Sequence, residues 1–262
     1  MSTESLTVLL RSLRLPGFIN WYEQLAIQGE REGWSFAQYL KSLAEQELRE
    51  RDERRVLRHL KQSGLPKEKT LATLDQERLS IKVRRQLPTL CEGGFVERAE
   101  NVLAFGLPGR GKTHVIAAIG HALVQKGYQV LFTTAFKLVQ RLLLARRDLA
   151  LERELKRLDR FDAVILDDIG YIQQSKEEME VLFTFLAERY ERRSVLITSN
   201  LVFSQWDKIF KDSMTTACAI DRVVHHAVIL ELTGPSYRTD AAKARNPGEG
   251  AQVEGPSTEE SE

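Results

Sequence analysis

The second part of the chain alternates between short apolar runs and longer segments in which apolar residues recur every three or four positions. Short runs of this kind are typical of buried strands, and the longer spacing is typical of amphipathic helices. The pattern predicts strands at 102–105, 129–133, 163–166, 194–198 and 227–232. It predicts helices at 114–126, 136–147, 149–158, 176–189, 203–210 and 216–224. Strands that alternate with helices favour a three-layer α/β/α fold with a parallel sheet.

The first 62 residues show a helical pattern throughout. Leucines at helical spacing begin the chain, Pro16 and Gly17 interrupt that spacing, and Ser35 is a candidate cap for a further helix. The apolar stripe of that helix is predicted at Phe36, Tyr39, Leu40 and Leu43. We therefore expect an N-terminal helical domain at 1–66, followed by an α/β domain at 67–245 that starts with a linker at 67–100.

The composition predicts a C-terminal tail and indicates the cellular compartment. From residue 246 onward the chain holds five carboxylates and no basic residue, which predicts a disordered acidic tail at 246–262. Cys91 and Cys218 have neither zinc-ligand nor disulfide-framework spacing, which suits a reducing compartment. Because the chain shows no secretory signal and no long apolar run, we expect a cytoplasmic protein without a membrane partner.

A glycine-rich segment connects the first predicted strand to the first helix of the α/β domain. Residues 106–113 fit the pattern G-x-x-x-x-G-K-[ST], whose backbone N–H groups cradle phosphate oxygens at a helix N-terminus. In this pattern Lys112 neutralises charge on the β- and γ-phosphates, and Thr113 holds Mg²⁺. The predicted nucleotide contacts are Gly106, Leu107, Pro108, Gly109, Arg110, Gly111, Lys112, Thr113 and His114. The sequence therefore predicts a nucleoside triphosphate site.

Two acidic residues and an amide follow buried strands of the same predicted sheet. Asp167 ends the run at 163–166, at the sheet edge where such folds bind ligands, and is a candidate Mg²⁺ ligand opposite Thr113. Asp168 is a candidate to orient or deprotonate the attacking water. Asn200 ends the next strand and is a candidate to contact that water or the γ-phosphate.

Basic residues are concentrated in two helical regions. Residues 41–90 contain 13 Lys or Arg against 8 Asp or Glu, and residues 136–158 form an additional basic insertion between two strands. Solvated helices with i,i+4 ion pairs and nucleic-acid-binding surfaces both explain such charge, and the charge alone does not separate them. The candidate DNA contacts are Arg54, Arg55, Arg58, Lys137, Arg141, Arg146, Arg147, Lys156 and Arg157.

Several motifs together resemble the IstB family, the ATP-binding helper proteins of insertion-sequence transposition, which are related to the DnaC helicase loaders among the AAA+ ATPases. The resemblance covers roughly residues 10–245. Its strongest segments are FVERAENVLAFGLPGRGKT at 95–113 and AVILDDIG at 163–170. It extends through Trp21-Tyr22-Glu23, residues 45–58, Lys69-Thr70-Leu71, Thr198-Ser199-Asn200, Ile220-Asp221-Arg222 and GPSYR at 234–238.

The resemblance implies roles that the residues alone leave open. It implies an AAA+ P-loop fold, ATP and Mg²⁺ as cofactors, and homo-oligomers with ATP at the subunit interfaces. Asn200 would be the sensor I residue, Arg222 the arginine finger of a neighbouring subunit, and Arg238 the sensor II residue that contacts nucleotide in cis. It also implies duplex DNA and the transposase of the same element (an IstA-like protein) as partners. Asp168 stands where many AAA+ proteins carry Glu, which leaves the catalytic base open and suggests slow, partner-stimulated turnover.

Three other functions remain as alternatives. A helicase loader would share the fold but prefer single-stranded DNA. A small-molecule P-loop kinase would need a lid with catalytic arginines and an acceptor pocket, against which the later motifs speak. A nucleotide-binding structural module would bind ATP without turnover. The expected function is an ATP-hydrolysing, DNA-binding AAA+ protein that assists a transposase.

Overall fold

A parallel sheet forms the centre of the computed structural model, which describes residues 3–169, 175–201, 205–206, 220–233 and 236–237. Its five strands lie in the order β2-β3-β4-β1-β5. They are β1 (Asn101–Phe105), β2 (Val130–Thr134), β3 (Ala163–Asp167), β4 (Ser194–Ser199) and β5 (Ala227–Glu231). All four neighbouring pairs are parallel, so the carboxyl ends of the strands meet at one edge. The predicted parallel sheet is therefore confirmed.

Helices precede the sheet, connect its strands and cover both of its faces. They are α1 (Thr3–Ser12), α2 (Pro16–Glu32), α3 (Phe36–Ser63), α4 (Ile81–Glu92), α5 (Gly94–Glu97), α6 (Lys112–Gln125), α7 (Ala135–Arg147), α8 (Leu151–Leu158) and α9 (Lys176–Arg189). None of the helices that the structure describes is long and apolar enough to cross a membrane. The tail lies outside the described residues, as does the predicted helix at 203–210 apart from residues 205 and 206. Of the predicted helix at 216–224, residues 220–224 are described, and they are helical.

The sheet separates two apolar clusters because successive side chains of a strand point to opposite faces. On one face, Ile165 packs with Ile116 of α6 and Val83 of α4. On the other, Val164 packs with Leu138 of α7, and the same cluster includes α9 residues. Every residue of β1, β3 and β4 is buried, as expected for strands covered on both sides. This arrangement is the expected three-layer α/β/α fold.

The N-terminal helices form an antiparallel pair joined at a buried carboxylate. Ser35 caps α3 by accepting a hydrogen bond from the backbone N–H of Gln38, which confirms the predicted helix start. The predicted apolar stripe is largely wrong, because Phe36 is 95% exposed and only Leu43 of the four residues is buried. Glu47 accepts a 2.6 Å hydrogen bond from the Gly17 backbone N–H, so a charged residue holds the contact between α2 and α3.

The segment after α3 belongs to the core of the α/β domain. Leu65 and Leu74 lie in the same buried cluster as Ile116, and residues 67–100 contain α4, α5 and a short 3₁₀ turn at Gln76–Arg78. The expected linker is therefore structured over much of its length. The domain boundaries at 66 and 100 stay predictions.

The second helix of the basic insertion starts later than predicted. The helix expected at 149–158 begins at Leu151, because Leu149 adopts a left-handed backbone conformation with φ of 52° and is 96% exposed. Such a residue belongs to a connection between helices rather than to a helical turn.

Candidate nucleotide-binding site

The glycine-rich segment 106–113 forms the turn between β1 and α6. Gly109 and Gly111 have φ of 80° and 84°, values that side chains with a Cβ rarely adopt. Gly111 is the N-cap of α6, so the positive end of the helix dipole faces the loop. Backbone geometry, dipole and sequence motif together make this turn suited to a phosphate group.

Lys112 directs its ammonium group into the loop instead of into solvent. The residue is 5% exposed. Its Nζ donates to the carbonyl oxygens of Gly106 and Leu107, at 2.6 Å and 3.0 Å, and to Asn200 Oδ1 at 2.5 Å. The structure thus brings together the loop and the end of β4, while the predicted contacts of Lys112 and Asn200 with phosphate stay predictions. A phosphate oxygen at this position would add negative charge beside a desolvated ammonium.

Asp167 joins two hydroxyl groups at the carboxyl edge of the sheet. Its Oδ1 accepts hydrogen bonds from Thr113 Oγ1 at 2.9 Å and from Thr198 Oγ1 at 2.7 Å. Carboxylate and hydroxyl oxygens are hard ligands of the kind that Mg²⁺ prefers. The geometry places Thr113 and Asp167 where they would hold such an ion together.

Thr198 is a site residue that the sequence reasoning did not assign a role. Besides donating to Asp167, its Oγ1 accepts a 2.8 Å hydrogen bond from the backbone N–H of Asp168. It thereby fixes the turn in which Asp168 adopts φ of 59°, an uncommon value for a residue other than glycine. The available sequence signal was a threonine at the end of an apolar strand, and in the structure this residue is fully buried.

The cleft beside the loop is lined on its far side by residues from the linker and from the C-terminal segment. Lys69, Leu74 and Tyr237 line it together with Asp168, Asn200 and the loop. Tyr237 is tied to both sides, because its backbone N–H donates to the Gly109 carbonyl at 2.9 Å and its hydroxyl donates to the Asp75 carbonyl at 3.0 Å. Burial raises the pKa of the Tyr237 hydroxyl, which therefore stays protonated and able to donate at neutral pH.

Two predicted nucleotide contacts hold the loop in place. His114 lines the cleft, and its Nε2 lies 3.2 Å from Thr73 Oγ1 and 3.1 Å from the Thr70 carbonyl oxygen. Arg110 donates to the Thr233 carbonyl at 3.2 Å. Both side chains connect the loop to neighbouring segments, which restrains its shape.

Comparison with known proteins identifies the family of the chain. The family model of IstB-like ATP-binding proteins matches residues 8–244. The chain belongs to this family. A Sinorhizobium fredii protein that bears an insertion-sequence ATP-binding name is 43% identical over 238 residues, which cover 90% of this chain and 80% of that one. A Pseudomonas aeruginosa protein with an IS21 ATP-binding name is 37% identical over 236 residues, 89% of this chain and 88% of that one.

Solved structures share the fold of the α/β domain. The crystal structure of DnaI aligns with a TM-score of 0.54 at 22% identity, over 65% of this chain and 96% of that one. The replication initiator DnaA bound to AMPPCP and single-stranded DNA aligns with a TM-score of 0.56 at 16% identity, over 70% of this chain and 56% of that one. The family is one of ATP-binding proteins, which makes ATP the nucleotide for this candidate site.

Of the two arginines that the IstB resemblance singled out, the structure describes Arg222 but not Arg238. Arg222 lies with its guanidinium 4.8 Å from the centroid of the Phe183 ring on α9. It is not among the described residues that line the cleft of its own subunit. Arg238 lies outside the described residues, so its predicted contact with nucleotide stays a prediction.

Most basic side chains predicted to contact DNA form surface ion pairs. The pairs are Arg54–Glu50, Arg55–Asp52, Arg146–Glu180, Arg147–Asp148, Lys156–Glu152 and Arg157–Glu154. Arg58 and Lys137 are exposed and form no ion pair with a residue that the structure describes. Arg141 is half-buried and pairs with Glu154, which joins α7 to α8. Since exposed pairs are worth only about 0–1 kcal/mol, most of these cations are able to exchange a carboxylate for a phosphate.

Proposed function

We propose that this IstB-like protein hydrolyses ATP, assembles through its nucleotide sites on duplex DNA, and assists the transposase of an insertion sequence. The observation that carries the proposal is the convergence of Lys112, Asn200, Asp167 and Thr113 at one edge of the sheet. These four side chains come from the start of α6 after the loop and from the ends of two strands. An ammonium, an amide, a carboxylate and a hydroxyl group suit a triphosphate and its metal ion.

For hydrolysis, the side chains of the cleft supply charge compensation and positioning. Lys112 would move its ammonium from the loop carbonyls to the β- and γ-phosphate oxygens, while Asn200 would remain beside it to orient the attacking water. Asp168 lines the same cleft and is the candidate acceptor of the proton of that water. Mg²⁺, held by Thr113 and Asp167, would neutralise phosphate charge when it is bound.

Assembly would follow from the position of Arg222. A guanidinium that is half-buried against α9 and does not line its own cleft is available to a neighbouring subunit. An arginine supplied in trans to the γ-phosphate makes ATP part of the contact between subunits. We therefore infer that nucleotide binding and oligomer formation are coupled in this protein.

For DNA binding, the α7–α8 insertion is the better supported of the two basic regions. Lys137 lies in the first turn of α7, directly after β2, so it lies toward the same sheet edge as the phosphate loop. Arg146, Arg147 and Lys156 pair with exposed carboxylates, which phosphate groups would replace with release of counterions. Arg141 and Arg157 instead share Glu154, whose side chain is only 15% exposed. The link to a transposase rests on the insertion-sequence names of the relatives.

Mass photometry and electron microscopy test the proposal with the full chain, a non-hydrolysable ATP analogue, and duplex or single-stranded DNA. We expect ordered assemblies on duplex DNA that require nucleotide. Arg222→Ala should bind the nucleotide with unchanged affinity but should not assemble, while Lys112→Ala should lose both properties. Assembly only on single strands would favour a helicase loader, and an unchanged mass with either DNA would refute the DNA-binding proposal.

A further inference from the structure

Two histidines and a glutamate meet at the edge of the sheet opposite the nucleotide cleft. Glu191 lies in the turn between α9 and β4, and His225 and His226 lie in the turn directly before β5. One ligand atom from each of the three residues lies within 4.8 Å of the other two. The motifs of the nucleotide site do not involve these residues.

The backbone around this cluster is fixed by a buried asparagine. Asn101, at the start of β1 between the two turns, donates from its backbone N–H to the His226 carbonyl at 2.8 Å. Its side chain donates to the Val223 carbonyl at 3.0 Å and accepts from the Val195 N–H at 2.9 Å. The strands that carry the two turns are therefore held at a set separation, and only side-chain rotations are needed to bring the three groups closer.

The three side chains lie close together. The two imidazole rings have centroids 4.1 Å apart, and His226 Nε2 lies 3.6 Å from Glu191 Oε1. His225 Nδ1 lies 3.1 Å from the Tyr190 hydroxyl. In the tautomer with its proton on Nδ1, His225 donates to Tyr190 and presents the Nε2 lone pair, the outer-sphere arrangement common for metal-bound histidine.

We propose that Glu191, His225 and His226 form a Zn²⁺ site with water as the remaining ligand. Two imidazole nitrogens and one carboxylate oxygen are a donor set that zinc accepts in tetrahedral geometry. Bond lengths of about 2.0–2.1 Å require ligand atoms roughly 3.3 Å apart, so the nearest ligand atoms of the three exposed residues, now within 4.8 Å of one another, have to close by about 1.5 Å at most. The backbone of Glu191, at φ of 55°, is already turned into an uncommon conformation at this corner.

Such an ion would connect the turn between α9 and β4 to the turn that follows Arg222. The His225 backbone N–H donates to the Asp221 carbonyl, so His225 is part of the same helical turn as Arg222. Arg222 in turn packs on Phe183 of α9. Bound Zn²⁺ would restrain the position of the proposed trans-acting arginine; this regulatory role rests on the proposed function, whereas the site itself does not.

The test is Zn²⁺ titration of the chelator-stripped full chain against a chromophoric chelator, without Mg²⁺, nucleotide or DNA. We expect the wild type to bind about one Zn²⁺ per chain. The zinc affinity should be at least about 100-fold weaker in the variant with His225→Gln and His226→Gln, and it should also be clearly weaker in Glu191→Gln. Glu188→Gln is the matched control, because Glu188 is an exposed carboxylate near the same end of α9 that pairs with Arg192.

Two further measurements keep the outcome decisive. Zn²⁺ should raise the melting temperature of the wild type and of Glu188→Gln but not of the double histidine variant, whose melting temperature without zinc should match that of the wild type. Co²⁺ in place of Zn²⁺ should give visible bands without a sulfur charge-transfer band. Equal zinc binding by wild type and double variant, or a thiolate signature in the Co²⁺ spectrum, would overturn the proposal. Because no nucleotide is present, neither result depends on the ATPase scheme.

Discussion

Two buried cations lie at opposite edges of the sheet, and only one of them belongs to the nucleotide site. Lys112 is 5% exposed and Arg189 is 2% exposed. At the carboxyl edge, Lys112 is held by two loop carbonyls and the Asn200 side chain. Arg189, at the end of α9, donates instead to main-chain carbonyls of segments around the amino ends of β3 and β4. These carbonyls belong to Leu158, Phe161, Asp162 and Ser194.

The difference lies in how easily the partners are replaced. Lys112 has a flexible stem and a point charge, and its partners line an open cleft, so a phosphate is able to take their place. Arg189 has a planar fork that satisfies several carbonyls at once, and those partners are fixed in the fold. Burial lowers the pKa of the Arg189 guanidinium to about 10, which leaves it charged at neutral pH. One cation is therefore built for exchange with a ligand and the other for permanent support.

Replacing Lys112 should have the largest effect of any change on function and a small one on stability. In Lys112→Ala, we expect ATP affinity to fall by about 100-fold or more, because charge-assisted contacts to two phosphates are lost. The free energy of unfolding should change by less than about 1 kcal/mol, since water is able to reach the released oxygens from the cleft. Fluorescent-nucleotide titration and thermal unfolding measure the two quantities.

The control for this change lies at the other end of the same helix. Lys126→Ala removes an exposed lysine beyond the last turn of α6 and should alter neither quantity. Nucleotide-dependent assembly of Lys112→Ala at wild-type levels would contradict the role given to the buried ammonium.

Replacing Arg189 should have the opposite pattern, with a large loss of stability and no change in ATP affinity. Arg189→Met leaves several buried carbonyl groups without donors, so we expect the protein to lose about 3–5 kcal/mol of stability. For a chain of this length, that corresponds to a melting temperature lower by roughly 10 °C. Below the transition, ATP affinity should remain that of the wild type.

The exposed neighbour Arg192 provides the comparison for Arg189. It pairs with Asp159 and Glu188 at the surface, so Arg192→Met should cost no more than about 1 kcal/mol. Equal destabilisation by the two variants would show that the buried contacts of Arg189 are not what supports this edge.

The same contrast explains what the sequence was able to predict. The strands and the phosphate loop both show as particular residue types at close spacing along the sequence. The fold class and the position of Lys112 could therefore be predicted. The role of Arg189 was not, because its partners are carbonyl groups up to 31 residues away that every residue type carries. Tyr237 is similar: the sequence shows its motif, but its contact with Asp75 joins segments 162 residues apart.

Replacing Thr198 should lower both stability and ATPase activity, each by less than the replacements above. Thr198→Val keeps the shape of the side chain but removes the hydrogen bonds to Asp167 and to the Asp168 backbone. We expect a stability loss of about 1–3 kcal/mol and an ATPase rate roughly 10-fold lower, because Asp168 is less well positioned. Thr184→Val, which changes an exposed hydroxyl on α9, is the control for the substitution itself. An unchanged ATPase rate in Thr198→Val would show that this hydroxyl does not position Asp168.

The smallest expected effect concerns Tyr237, the residue that joins the linker to the phosphate loop. Tyr237→Phe retains the ring beneath Arg78 but deletes the hydroxyl that donates to the Asp75 carbonyl. The loss of one partly exposed hydrogen bond, about 0.5–1.5 kcal/mol, should weaken ATP binding by no more than about 10-fold and leave global stability nearly unchanged. Tyr128→Phe removes a comparable bond to Glu97 and should leave ATP affinity unaltered. If Tyr237→Phe instead lowers stability as Arg189→Met does, Tyr237 belongs with Arg189 among the residues that support the fold.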